Sequence, residues 1–251
     1  MPASYPDGRG NGPRPTETWN SDDPFTAAPL GALRRFTQGR RKSARPPVER
    51  CELCGLALGP EHRHLLALTS QALVCACDAC AVLFGSPGSA EQKYRLIPRR
   101  YLALPDFVMT DEQWDNLMIP VNMAFILHST GPKPVIAFYP SPAGAMESLL
   151  SLQGWEALVA SNPVLNDLEP DVEALLINRV RIGGMRHAEN SAAAVVGSYY
   201  IVPIDACYQL VGIIRTLWRG LSGGEEVWDA IAAFFREIQA KARPQRDIPA
   251  G

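Results

Sequence analysis

The sequence has almost no net charge. Its 24 Lys and Arg against 26 Asp and Glu leave −2 at pH 7. That excludes bulk electrostatic capture of nucleic acid or anionic lipid by the chain as a whole. Lysine is scarce: Lys42, Lys93, Lys133 and Lys241 are the full set, so arginine carries most positive charge. A long apolar run is also missing. The best candidate, residues 117–127, is about two-thirds of the ~18 residues that a spanning helix needs. Pro120 and Asn122 interrupt it. No apolar stretch of signal-peptide type stands near the start. Arg34-Arg35-Phe36 has the look of a twin-arginine signal, but a basic, Pro-rich segment follows it instead of an apolar one. Several enzyme signatures are absent as well: no H-E-x-x-H, DxD or kinase motif occurs. These absences predict a soluble, cytoplasmic protein without a membrane span, and they point away from an enzyme.

Proline and cysteine are what the sequence has in excess. There are 22 prolines, well above the usual share of about 5%, and many precede residue 61. Residues 1–48 are rich in Gly, Pro, Ser, Asp and Arg and are expected to form a disordered tail. Within it, residues 25–36 have the spacing of a short helix. Seven basic residues lie between Arg34 and Arg50, with Glu49 the one acid among them. A solvated linker and a docking arm for an acidic partner or nucleic acid are both consistent with that stretch.

Five of the six cysteines fall between Cys51 and Cys80. In a reducing compartment such a cluster binds metal more often than it forms disulfides. Cys51-x2-Cys54 and Cys77-x2-Cys80 are two C-x2-C units with 22 residues between Cys54 and Cys77. Each unit turns two thiolates toward one ion, and Gly55 permits the tight backbone after the first. Residues 63–68 and 72–77 read as two short strands joined by Thr69-Ser70-Gln71. The hairpin would hold the two units together and close a tetrahedral four-sulfur site. Residues 49–85 are therefore expected to be a zinc-ribbon-like module folded by Zn²⁺, with Cys51, Cys54, Cys77 and Cys80 as ligands. Four thiolates also suit iron or an iron–sulfur cluster, so the metal stays open. Cys75, His62 and His64 are surplus donors. They are alternative ligands, second partners of the site, or ordinary strand residues. A closed four-cysteine site leaves no position for substrate and is structural in character.

Residues 95–242 read as an α+β domain with an antiparallel sheet, ending in two helices, so the fold class of the whole is α+β. The expected strands are 100–104, 121–127, 134–139, the second half of 172–180, and 199–204. Thr110-x-x-Gln113 and Ser222-x-x-Glu225 match capping boxes. Pro142 is expected to start a helix over 143–160. Residues 183–194 suggest a mobile loop. Asp205 is the expected N-cap of a helix over 206–219, and the last helix is expected over 224–241. Asn178, Arg179 and Asp205 flank apolar strands and would form a pocket if they converged. Cys207 is either a buried structural cysteine or a reactive thiol at a helix start.

Beyond these single features, a set of motifs has a family character. Arg50-Cys51-Glu52-Leu53-Cys54-Gly55, Glu61-His62-Arg63-His64-Leu65, Cys75-Ala76-Cys77-Asp78-Ala79-Cys80 and Ile97-Pro98-Arg99-Arg100-Tyr101 occur in order. Phe138-Tyr139-Pro140-Ser141-Pro142-Ala143-Gly144, Val202-Pro203-Ile204-Asp205-Ala206-Cys207-Tyr208 and Trp218-Arg219-Gly220 follow. Over residues 49–240 the chain resembles a bacterial protein family of unknown function, common in actinobacteria. Its members are often encoded beside high-affinity, oxygen-tolerant nickel–iron hydrogenases. The resemblance implies an accessory or scaffold role, with hydrogenase subunits or maturation factors as partners, and brings no established activity or catalytic residues with it. In that family pattern the His62-Arg63-His64 strand and the second cysteine cluster accompany the first cysteine pair. Rival expectations are an iron-based electron-transfer protein and a nucleic-acid-binding regulator.

Overall fold

A computed structural model describes residues 48–86, 93–148, 150–180 and 197–244. The expected tail, apart from Val48, and the expected loop at 183–194 lie outside these residues. The described chain is α+β, with two sheets and the longest helices at the C-terminal end.

The smaller sheet grows from the hairpin. β1 (Arg63–Ala67) and β2 (Ala72–Ala76) pair antiparallel, with Leu65 opposite Val74 and Leu66 opposite Leu73. Gln71 takes a φ of 55° in the turn between them. α1 (Asp78–Gly85) follows β2 directly. β3 (Tyr94–Leu96) then pairs with the other edge of β1, giving the order β2-β1-β3. β3 is too short for its sequence to show alternation, and its partner lies about thirty residues upstream.

Period-2 alternation splits the small sheet into two faces. Leu65, Val74 and Ala76 pack with the cysteines. Leu66, Leu68 and Leu73 point the other way, into the core under the C-terminal helices.

The larger sheet has the order β10-β4-β9-β8-β5-β6-β7. Its strands are β4 (Leu102–Ala103), β5 (Met123–His128), β6 (Val135–Ser141), β7 (Gly144–Ser148), β8 (Glu173–Asn178), β9 (Ser198–Pro203) and β10 (Arg243–Pro244). Pairing is antiparallel except between β10 and β4. β5 and β8 are central and buried on both faces, hence their almost unbroken apolar runs.

Alternation again assigns the faces. Phe125, Leu127, Ala174, Leu176 and Val202 meet α4 (Ile204–Leu217) and α5 (Glu225–Lys241). Ala124, Ile126, Leu175, Ile177 and Ile201 meet Trp114, Trp155, Leu158 and Leu165 on the other side. Those residues belong to α2 (Asp111–Asp115), α3 (Leu152–Ser161) and a 3-10 turn at Pro163–Asp167.

Three local expectations change. The helix placed at 143–160 begins only at Leu152, because 144–148 form β7. Pro142 occupies a hairpin turn: Ser141 pairs with Gly144, whose φ of 131° suits glycine. Asp205 is not the N-cap of α4, which starts at Ile204 after Pro203. Ser222 does not cap α5 either; Gly224 takes that position with a φ of 81°. By contrast, the Thr110–Gln113 capping box is formed as the sequence implied.

Candidate metal centre

The first cysteine pair is held by a local backbone weave. The Cys51 N–H donates to the Leu56 carbonyl at 2.8 Å, and the Gly55 N–H donates to the Cys51 carbonyl at 2.7 Å. Gly55 has a φ of 77°, which lets the turn close without a Cβ penalty. The second pair is built differently. Cys77 is the N-cap of α1, and its sulfur accepts the Cys80 N–H at 3.5 Å. Both thiols therefore sit in the first turn of the helix, beside its free backbone N–H groups.

The hairpin brings the two pairs together. The ligand atoms of Cys51, Cys54, Cys77 and Cys80 all lie within 4.8 Å of one another. Sγ of Cys54 and Cys77 are 3.7 Å apart. All six cysteines are free thiols, and Cys51, Cys77 and Cys80 are buried. This cluster can hold a metal ion.

Its electrostatics fit a cation. Burial opposes the Cys51 thiolate, but the Cys77, Cys54 and Leu53 backbones outweigh it and bring its pKa down to about 6. Burial and the sulfurs of Cys77, Cys54 and Cys51 push Cys80 up to about 12. The Leu56 backbone favours a Cys54 thiolate, yet the neighbouring thiols and burial leave its pKa raised. The Cys51 thiolate forms easily, while Cys54 and Cys80 resist joining it. A central cation removes that resistance.

Cys75 does not enter this group. It faces the side of the hairpin that carries Leu66 and Leu73, where it meets His62 and His64. Burial first, then the Glu52 and Glu49 carboxylates, raise its pKa. The structure thus sorts the surplus donors into a second cluster on the opposite face.

Asn178, Arg179 and Asp205 are not brought together. Glu173 pairs with Pro203 and Asn178 with Ser198. Asp205 therefore lies past one end of β8, while Asn178 and Arg179 close the other. That is a separation of roughly 17 Å at ~3.3 Å per residue. Arg179 is buried against the Asp111 carboxylate and lies 5.2 Å from the Trp114 ring centre. Asn178 accepts the Val180 N–H at 3.0 Å. Cys207 is fully buried, and burial followed by Asp205 raises its pKa well above the ordinary value, so it is an inert core thiol.

Two buried carboxylates were missed by the sequence reading. Asp171 accepts from Arg95 at 2.9 Å and from the Thr130 hydroxyl at 2.6 Å. Glu173 takes both arms of a bidentate pair with Arg100. Arg95 lies in β3 and Arg100 just after it, so these pairs fasten the small sheet to the start of β8.

A family model described as a family of unknown function, DUF5947, matches residues 50–242. The chain belongs to DUF5947. The match starts beside the first cysteine of the cluster and ends at the close of α5, so the small sheet and all of the larger sheet except β10 lie within the DUF5947 unit. No curated protein and no solved structure matches this DUF5947 chain.

Proposed function

We propose that this DUF5947 protein is a metal-stabilised binding or scaffold protein in which Cys51, Cys54, Cys77 and Cys80 hold one structural Zn²⁺. The observation that carries this reading is the mutual approach of the four thiols within 4.8 Å across a hairpin. Zn²⁺ fits a closed tetrahedral set of thiolates, and a site with no open position supports structure in place of substrate chemistry. The module is also too small to hold a core of its own without a staple. A reducing compartment such as the cytoplasm would keep the thiols available.

Elemental analysis of the purified full chain tests the metal. One zinc lost on Cys54→Ser substitution supports the reading. Iron in its place, with visible absorption, moves the protein to electron transfer. A metal-free chain whose module stays folded under chelator removes the proposal.

The partner reading rests on the family resemblance of the cysteine, histidine and Arg99-Arg100 motifs. It names nickel–iron hydrogenase subunits or their maturation factors. Co-purification with tagged hydrogenase subunits is the measurement. Enrichment supports it; no enrichment, with unchanged hydrogenase activity in a deletion strain, ends it.

A further inference from the structure

We infer that His62, His64 and Cys75 form a second metal site on the opposite face of the hairpin, for a zinc-class divalent cation with one coordination position left open. The site is distinct from the four-cysteine centre, although it shares the same two strands.

Strand geometry makes the cluster. His64 lies directly opposite Cys75 in the β1–β2 register, so their side chains leave one face with Cβ atoms about 5 Å apart. His62 precedes His64 by two residues and returns to that face. The two rings meet edge-on with centroids 4.7 Å apart. One donor atom from each of the three residues lies within 4.8 Å of the others.

Hydrogen bonding decides which nitrogens are free. His62 Nδ1 faces the Gly59 carbonyl at 3.1 Å. A carbonyl only accepts, so Nδ1 carries the proton and Nε2 of the neutral ring is a bare lone pair. That Nε2 is buried and has no hydrogen-bond partner, in a side chain with 8% of its surface exposed. A buried acceptor without a donor is costly, and a metal ion satisfies it. His64 Nδ1 is 2.7 Å from the Asp205 carboxylate, which likewise fixes the proton on Nδ1 and leaves Nε2 for a metal. A carboxylate behind a metal-binding histidine orients the ring and raises its basicity. Asp205 stands 141 positions from His64, in the first turn of α4. Glu52 accepts the Cys75 backbone N–H at 2.8 Å and steadies the third donor. Glu49 lies 3.6 Å from His62 Nδ1 and adds negative charge beside the cluster.

Two imidazoles and a thiolate select borderline ions such as Zn²⁺ or Co²⁺ over Mg²⁺ and Ca²⁺. Loading releases the Cys75 thiol proton to solvent. Three protein ligands leave a fourth position for water or an incoming ligand, in contrast to the closed site across the sheet. His64 and Asp205 are each about a quarter exposed, so solvent reaches this edge.

The test is native mass spectrometry of the reduced full chain after anaerobic loading with Zn²⁺. Wild type should hold two ions, with His62→Ala and Cys75→Ser each holding one. Asp205→Asn should keep both, but yield the second to a competing chelator at 10–100-fold lower affinity. Co²⁺ loading of Cys54→Ser should retain the absorption of a single-thiolate site. A wild type with one ion that His62→Ala and Cys75→Ser both retain overturns the inference. One ion that Cys75→Ser removes and Cys54→Ser spares upholds it, and instead overturns the four-sulfur reading. If His62→Ala fails to fold, the single-atom change in Cys75→Ser carries the comparison.

Discussion

Asp171 carries several constraints at once. Its side chain is 1% exposed, its φ is 65°, and it answers Arg95, the Thr130 hydroxyl and the Thr130 N–H. Asp171→Ala leaves the part-buried Arg95 guanidinium without its anion and keeps the left-handed backbone. The expected cost is about 3 kcal/mol, read as a lower urea midpoint with an unchanged slope. Asp171→Asn tolerates the backbone and keeps hydrogen bonding, so it should cost clearly less. At this scale the sequence was legible only where chemistry is local. Cys51, Cys54, Cys77 and Cys80 declare themselves by C-x2-C spacing. His64 and Asp205 could not be paired from sequence, because only the docking of β1 against the start of α4 joins them. The same holds for Arg95 with Asp171 and Arg100 with Glu173, where an ordinary surface charge and a buried partner look alike in the chain.

At the scale of the element, α1 is held against the small sheet by close approach. A Cβ on Gly85 would come within 2.8 Å of Leu96 Cβ and 2.9 Å of a Leu65 methyl. Leu96 cannot retreat without moving β3. Gly85→Ala should therefore destabilise the chain by about 1–3 kcal/mol, with faster amide exchange concentrated in β1 and β3. Gly55→Ala meets no neighbour but is strained at a φ of 77°. It should weaken metal retention by the cysteine cluster, measured by chelator competition, while the larger sheet is unchanged. The elements that the sequence revealed were those with strong periodicity or side-chain caps: β1–β2, β5–β6, β9, α2 and α5. β7 was hidden because Gly144, Ala145 and Met146 carry no strand preference, and Pro142 fits a helix start as well as a turn. Pairing along β6 decides the matter, so tertiary context overrides propensity there. Asp205 is drawn away from capping by His64, though its other oxygen still accepts the Ala206 N–H at 2.8 Å.

Over the whole molecule, the larger sheet sits between two helical layers, and the small sheet rests on the layer formed by α4 and α5. Leu66, Leu68 and Leu73 join that core. Arg99 donates to the His62 carbonyl at 3.0 Å, next to the His64–Asp205 contact. No helix among the described residues is long and apolar enough to cross a membrane. Near-neutral net charge describes the chain without describing its two clusters of donor side chains, which lie on two faces of one hairpin. Metal removal should act unevenly. Chelation is expected to expose amides of the 51–58 turn and α1, while β5, β8 and β9 stay protected, because none of the four clustered cysteines belongs to the cores they pack into. Uniform loss of protection across both sheets would mean that the module and the larger sheet unfold as one cooperative unit.

Whether the four sulfurs surround one zinc is read by zinc-edge X-ray absorption on the zinc-loaded Cys75→Ser chain. That variant should hold one zinc surrounded by four sulfur atoms at about 2.3 Å. A zinc shell dominated by nitrogen or oxygen, or a chain that takes up no zinc at all, would rule out a four-sulfur zinc site.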